Sequence, residues 1–599
     1  MSNKINRNNT NFPLRIHELL SKVEQIKVEN NDIKTTEELL RYYQNLVYNY
    51  FIKLNVDSKG LLIYHGMGLG KTMVAVAIAE HLKQKYQPII LTTKSLQSNF
   101  KKEILNFREL LKLTDEDISR YSFITLNASN MLKQLKRTLE VDNEEEYLDA
   151  FLDSKLKNIV DIQNLNGKLI IVDEAHNLFR RITNGSKIGI EFYNIIMRSR
   201  NVKLLFLTGT PIAADSFEIV PCFNMLSGEE LLPTLYRDFN ELYTQSVVGE
   251  DDKITSGFIR NKNYLQNRIY GLVSYSVYEQ RDDQKVSDFP ERFPTIIEKI
   301  PMDNFQYAKY LSLREEEKQE GQFQGNKQFN IPALSKPSEG NTTTYRVKTR
   351  MCSNYYPPNY FNRKTDDIEK IKDDDVFSPK IKKIFDNVND KVGIDLAYSQ
   401  FVDVGGIGII ERYFLINGWE PFLLDKDYKV EPLDLENLTE EKKKSRRSKR
   451  FVKIVGSVEF EDREKIRTII NSKENMYGEL VSFLLVSATG AEGLDLKNIR
   501  RMHMVEPYWN AAREDQFFAR GDRYKSHVAL PIEDRNTQPY IYLSDHADDA
   551  TLEQKTEDTT DIYLYKKSQI NKKAIESFLD AMKEVSIECS IRKQVKCRI

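Results

Sequence analysis

The stretch LIYHGMGLGKTMVAVAIA, residues 62–79, decides the reading of this chain. It opens on the apolar run Leu62-Ile63-Tyr64. Gly66, Gly68 and Gly70 follow within five residues, then Lys71-Thr72 and a run of small apolar side chains. That order predicts a strand, a tight loop and the start of a helix. Glycine lets the backbone take positive φ and come close to a ligand. Successive N–H groups at a helix N-terminus form an anion site. A nucleoside triphosphate would lie on Gly66, Met67, Gly68, Leu69 and Gly70. Lys71 would reach its β- and γ-phosphates, and Thr72 would offer its hydroxyl to Mg²⁺. One departure stands out: the strict pattern G-x-x-x-x-G-K-[ST] wants glycine at position 65, and this chain has His65.

Outward from the loop, short apolar runs alternate with helical patterns. PIILTT (88–93), YSFITLNA (121–128), KLIIVDEAHNL (168–178) and VKLLFLTGTP (202–211) read as strands of one lobe. Such alternation indicates an α/β fold with a mostly parallel, doubly wound sheet. We place a frayed N-terminus at 1–35 and the first lobe at 36–250. Residues 251–376 form a linker or insert, rich in Asn, Gln, charge and Pro. IDLAYSQF (394–401), VSFLLVSA (481–488) and MHMVEP (502–507) mark a second lobe at 377–545, with a helical tail at 546–599. The run KKKSRRSKR, 442–450, carries seven basic residues and reads as a loop, either a clamp on DNA or a solvated mobile segment.

Composition bounds the function classes. The chain has 599 residues and a net charge of -1, so any nucleic-acid binding must use a local groove and not the whole-molecule field. Cys222, Cys352, Cys589 and Cys597 form no C-x-x-C pair, which argues against a disulfide framework or a zinc cluster and fits a reducing compartment. The N-terminal stretch MSNKINRNNTNF has no apolar core, so no secretory signal is expected. Nothing approaches the ~18 apolar residues of a membrane span.

Three further pieces carry chemistry. Asp173 and Glu174 follow four apolar residues, where a parallel strand delivers side chains to a ligand crevice. Asp173 is expected to hold Mg²⁺ and Glu174 to polarise an attacking water. In LTGTP, Thr208 and Thr210 could hydrogen-bond this acidic site. Some 300 residues on, VSATGAEGLDL (486–496) puts Asp495 at a strand exit, and EDQFFARGDRYKSH (514–527) supplies Gln516, Arg520 and Arg523. Arginines spaced i, i+3 share a helix face, and such a pair could stabilise charge on a transferring phosphoryl group.

In this order GMGLGKT, DEAH, LTGTP, SATGAEGLDL and Q-x-x-x-R-x-x-R resemble a superfamily 2 helicase or translocase over roughly 40–545. The likeness implies two RecA-like lobes in tandem, and it makes Gln44 the adenine-reading glutamine and Asp495 a nucleotide-side residue. Where the family usually has glycine before the first arginine, this chain has Ala519. A narrower likeness rests on AYSQFVDVGGIGIIERYFLINGWEPF (397–422), RYKSHVALPIEDR (523–535) and the tail from 561 to 589. These resemble the poxvirus-type branch of large cytoplasmic DNA viruses and yeast cytoplasmic linear plasmids. That branch includes nucleoside triphosphate phosphohydrolase I and the early transcription factor small subunit. The resemblance implies a DNA-dependent ATPase in cytoplasmic transcription, using ATP and Mg²⁺. It implies DNA as partner, with RNA polymerase or another factor subunit beside it. Backbone contacts are expected from Lys94, Ser95 and the loop 126–130. Two other readings stay open at this point: a promoter-recognition subunit, and a small-molecule P-loop enzyme.

Overall fold

The computed structural model describes residues 11–23, 35–54, 58–66, 69–111, 120–140, 162–248, 255–276, 289–324, 333–336, 346–362, 366–430, 439–491, 494–509, 511–523, 525–589 and 591. They form two compact units. The first draws on 1–279, 329–338 and 570–599, the second on 280–328 and 339–569.

The first unit is built on β1 (Gly60–His65), β2 (Gln87–Thr92), β3 (Ser122–Thr125), β4 (Lys168–Asp173) and β5 (Lys203–Thr208). A hairpin of β6 (Thr244–Val248) and β7 (Thr255–Ile259) precedes β8 (Val273–Ser276). The main sheet runs β3-β2-β4-β5-β1-β8, with every pairing parallel. Strands such as KLIIVD and KLLFLT are almost continuously apolar because helices cover both faces of the sheet. Leu62, Ile170 and Phe206 pack in one core, and Ile63, Ile171 and Leu207 in the other. All these strands point the same way. His65, Thr92, Asp173 and Thr208 therefore end on one edge, where open parallel sheets bind ligands. β8 falls in the stretch 251–376 expected to be a linker, yet it is the edge strand beside β1.

The second unit holds β9 (Glu291–Arg292), β10 (Ile296–Pro301), β11 (Ile394–Tyr398), β12 (Glu420–Pro421), β13 (Arg450–Ile454), β14 (Phe483–Val486), β15 (Ile499–Met504) and β16 (Asn536–Asp545). Its order is β10-β16-β15-β11-β14-β13-β12, with β9 on β16. These pairings are parallel as well. The chain is thus an α/β protein of two parallel-sheet, RecA-like lobes, as expected. β10, also placed in the linker by sequence, belongs to this second sheet.

The basic run 442–450 is not a loop. It forms the end of a helix, Glu440–Arg446, and the start of β13. Lys443 is buried and donates to Asp534 Oδ2 at 2.6 Å. Arg447 donates to Asp395 and to the Val388 and Gly393 carbonyls, and Arg450 to the carbonyls of Glu479 and Leu480. The acidic partners lie far away in sequence, which is why the run looked unpaired. Cys222 and Cys352 are buried thiols that form no disulfide. Cys589 is disulfide-bonded, where the cysteine pattern argued against a disulfide framework. Among the described residues no helix is long and apolar enough to cross a membrane.

Candidate nucleotide site

β1 delivers the chain to the glycine loop, and the helix Lys71–Leu82 carries it away. Gly70 is the N-cap of that helix at φ +65°, in the left-handed region. That backbone conformation favours glycine, and a Cβ there would also come within 2.5 Å of the Gln44 amide nitrogen. Gln44 is buried. Its Nε2 donates to the Leu69 and Gly70 carbonyls at 3.2 and 3.0 Å, and its Oε1 accepts from the Arg41 amide at 2.9 Å. Tyr43, which the sequence reading passed over, donates its hydroxyl to the Leu69 carbonyl at 2.9 Å. Lys71 turns back on its own loop, and Nζ donates to the carbonyls of His65 (3.0 Å) and Gly66 (3.2 Å). Thr72 is the second residue of the helix and half-buried. Met67 and Gly68 lie outside the described residues.

Across the same sheet edge stand the acidic residues. Burial, then the neighbouring Glu174 carboxylate, pushes the Asp173 carboxyl up to about 7, against the pull of Lys71. Glu174 sits at φ +49°, a left-handed conformation that strains a residue with a Cβ. Strain of this sort costs roughly 1–3 kcal/mol and gathers at functional sites. It turns the side chain out of the sheet, where it is 38% exposed. Its amide nitrogen donates to Asp173 Oδ1 at 3.1 Å. The next turn begins the helix His176–Thr183.

His176 joins the acidic residues to LTGTP. Its buried Nδ1 is hydrogen-bonded to the Thr208 hydroxyl at 3.0 Å, and lies 3.4 Å from both the Thr210 hydroxyl and a Glu174 oxygen. Burial holds the imidazole below its usual range, although Glu174 pulls the other way. Thr208 Oγ1 also accepts from the Thr210 amide at 3.0 Å. The threonines make no direct hydrogen bond to Asp173 or Glu174 among the contacts of the described residues; His176 stands between them. Just beyond, the fully buried Glu218 accepts from the Ala213 and Ala214 amides at 2.7 and 3.1 Å and fixes the turn that follows.

The remaining candidates belong to the second unit. The helix Ala511–Phe518 carries Gln516 but stops before both arginines, so Arg520 and Arg523 do not share a helix face. Three residues past its end, a Cβ on Gly521 would meet Met502 Sδ at 2.5 Å, so the turn packs closely onto β15. Both arginines instead converge on the segment after β14. Arg520 Nη1 lies 3.4 Å from the Leu494 carbonyl, and Arg523 Nη1 donates to Asp495 Oδ1 at 2.9 Å. Of the backbone-contact candidates, Lys94 is exposed at the start of the helix Lys94–Leu110. The Ser95 side chain lies outside the described residues. Arg181 holds the loop 126–130 through the Leu126 and Ala128 carbonyls.

Comparison with known proteins gives this geometry its family. The SNF2-related domain matches residues 43–354, just over half of the chain. The termination factor NPH-I homolog of African swine fever virus (isolate Pig/Kenya/KEN-50/1950) is 34% identical over 98% of this chain and 86% of that protein. The chain belongs to the superfamily 2 helicases, in the viral NPH-I branch. A second helicase relative, a protein of Acanthamoeba polyphaga mimivirus provisionally named ATP-dependent RNA helicase R563, is 25% identical over 83% of this chain and 81% of its own. The SWI2/SNF2 ATPase core of Sulfolobus solfataricus, solved in complex with dsDNA, covers 96% of this chain and 100% of that one. Its identity is 16% and its TM-score 0.31, too low to add to the sheet topology. As a helicase of this branch the chain is an ATP-hydrolysing motor enzyme. Membership sets aside the small-molecule P-loop reading and does not favour a promoter-recognition subunit.

Proposed function

We propose that this helicase hydrolyses ATP with Mg²⁺ to advance along DNA during viral transcription in the host cytoplasm. RNA polymerase or a second factor subunit would be its partner. In this reading the loop amides and Lys71 bind the β- and γ-phosphates, and Gln44 reads the adenine. The residues fit a divalent cation. Burial and the neighbouring Glu174 carboxylate raise the cost of ionising Asp173, which a cation beside them would relieve, and Thr72 stands in the first turn of the helix Lys71–Leu82. When bound, Mg²⁺ would neutralise charge between the phosphates.

Glu174 orients the attacking water and takes its proton. His176 holds the LTGTP threonines against that carboxylate, so a change at the γ-phosphate can be felt at the end of β5. Arg520 and Arg523 would act on charge that develops during phosphoryl transfer, with Gln516 and Asp495 as further members of that set. Lys and Arg side chains would grip the nucleic-acid backbone with little reading of base sequence. By the name of its African swine fever virus relative, the chain would serve as a termination factor. The observation that carries the reading is the Glu174–His176–Thr208–Thr210 cluster facing Lys71's loop on one sheet edge. The test is the ATPase rate measured in parallel with no polymer, single-stranded DNA, duplex DNA and RNA. DNA is expected to raise the rate several-fold, and a rate indifferent to every polymer would overturn the motor reading.

A further inference from the structure

The residue that departs from the glycine-loop pattern, His65, is fully buried at the end of β1. Its Nε2 is 2.7 Å from the hydroxyl of Ser274 on the edge strand β8. Ser274 in turn donates to Glu588 Oε1, and the other oxygen of that carboxyl accepts from the Tyr275 amide at 3.0 Å. Because the serine proton points at the carboxyl, the imidazole must be the donor to Ser274. His65, Ser274 and Glu588 are each at most 1% exposed.

The C-terminal segment that carries Glu588 is seated firmly. The Ile587 amide donates to the Val273 carbonyl at 2.9 Å, and Phe578, Met582 and Val585 fill the first unit's core. At the other end of the chain of contacts, the carbonyls of His65 and Gly66 receive Lys71 Nζ, and the Gly66 amide donates to the Ser276 carbonyl at 2.9 Å. A buried carboxyl is costly unless its partners are in place. Here the serine hydroxyl and both carboxyl oxygens are engaged, and a polar chain so paired fixes the backbone it touches.

We propose that Glu588 is a positioning residue for the glycine loop, acting through Ser274 and His65 to set the two carbonyls on which Lys71 rests. Where the common pattern has a flexible glycine, this chain has an anchored ring, and the anchor comes from its C-terminal segment. The proposal rests on residues 65–72 being the ATP site, and it predicts a selective effect. Binding of ATP needs Lys71 released from a correctly placed loop, whereas Glu174 and its threonines are untouched by the anchor.

The experiment is steady-state ATP hydrolysis by the full chain with saturating DNA. Glu588→Gln and Ser274→Ala are each expected to raise KM for ATP about 5-fold and to leave kcat within 2-fold. Ser274→Thr, which keeps the hydroxyl, should restore KM. In the Ser274→Ala background Glu588→Gln should add less than 2-fold, since the path is already cut. Unchanged KM in folded Ser274→Ala, or independent effects that multiply in the double variant, would overturn the proposal. Ser274→Ala removes a single oxygen and leaves the Glu588–Tyr275 bond, so it tests the idea even where Glu588→Gln does not fold. Lys71→Ala separates the two levels. If it hydrolyses ATP normally, the site assignment fails; if it is dead while KM ignores Ser274→Ala, only the anchor fails.

Discussion

Two aspartates on buried parallel strands show how one residue type is put to opposite uses. Asp395, in β11 of the second unit, is fully buried, and burial alone would raise its pKa. The Arg501 and Arg447 guanidiniums and the His503 ring outweigh that and hold it at about 2. Arg501 donates to both of its oxygens at 2.6 and 2.8 Å, and His503 Nε2 sits 2.9 Å from Oδ1. Asp173, at the end of β4, is given a second carboxylate for a neighbour and is pushed up to about 7. A carboxylate whose demands are all met inside the protein is architecture. One left short of positive charge at a sheet edge is ready for a ligand.

The largest expected effects come from removing the ready side of this pair. Lys71→Ala and Glu174→Gln should bring ATP hydrolysis to background while circular dichroism and the unfolding midpoint stay near wild type. General bases alone carry about 10²–10⁴-fold. Turnover like wild type in either variant would place the chemistry elsewhere. Next, Arg523→Ala should lower kcat on the order of 10³-fold, the range of arginines that act on a transferring phosphoryl group. ATP affinity, read by equilibrium binding, should change far less, because the interaction is made in the transition state. Equal loss of binding and kcat would return Arg523 to its pairing with Asp495 as a purely structural contact.

The architectural aspartate is tested by stability. Asp395→Asn leaves Arg447 and Arg501 buried with half their partner gone. It should cost the second unit about 3 kcal/mol, in the range measured for broken buried pairs. ATP affinity of the first unit should persist below the new unfolding transition.

The acid limb of the stability curve sharpens the point. Asp395 has a folded pKa below its unfolded one, so its contribution is whole above the unfolded value, near pH 4, and is lost as pH falls through about 2. A shift from 3.8 to about 2 corresponds to about 2 kcal/mol. Wild type should lose that much more than Asp395→Asn between pH 4 and pH 2, followed by denaturant unfolding. Parallel curves would remove the electrostatic account.

How much of this was legible in the sequence follows from where the partners lie. Lys71, Asp173, Glu174 and the LTGTP threonines sit in short local runs at strand ends, where apolar patterning and turn chemistry announce them. The structure puts them on one edge because the strands are parallel. The basic run 442–450 read as a loop because two of its anchoring anions, Asp534 and Asp395, are remote in the chain. The strand RFVKI begins on the last residue of that run, Arg450. β16 was hidden by Pro539, which lacks an amide donor yet sits within a strand paired on both sides. For Arg520 and Arg523 the expected shared helix face fails, because the helix stops at Phe518 and Gly521 lies close against Met502, which spacing does not encode. Glu588 had no local signal at all, being 314 positions from the serine it contacts.

The smallest effect is the most pointed test of the contrast. Asp173→Asn removes one of two adjacent acids at a strained turn while keeping its size and most of its hydrogen-bonding capacity. If the raised pKa reflects a site that gives up stability for ligand binding, then in metal-free buffer at pH 8 the first unit should become more stable. The gain should be roughly 1 kcal/mol, the common yield of relieving a functional site, and ATP hydrolysis should disappear. Asp395→Asn must move stability the other way under the same conditions. Should Asp173→Asn destabilise as well, Asp173 would have unseen favourable partners. The line drawn between the two aspartates would then mark only different neighbours, with no difference in what they are for.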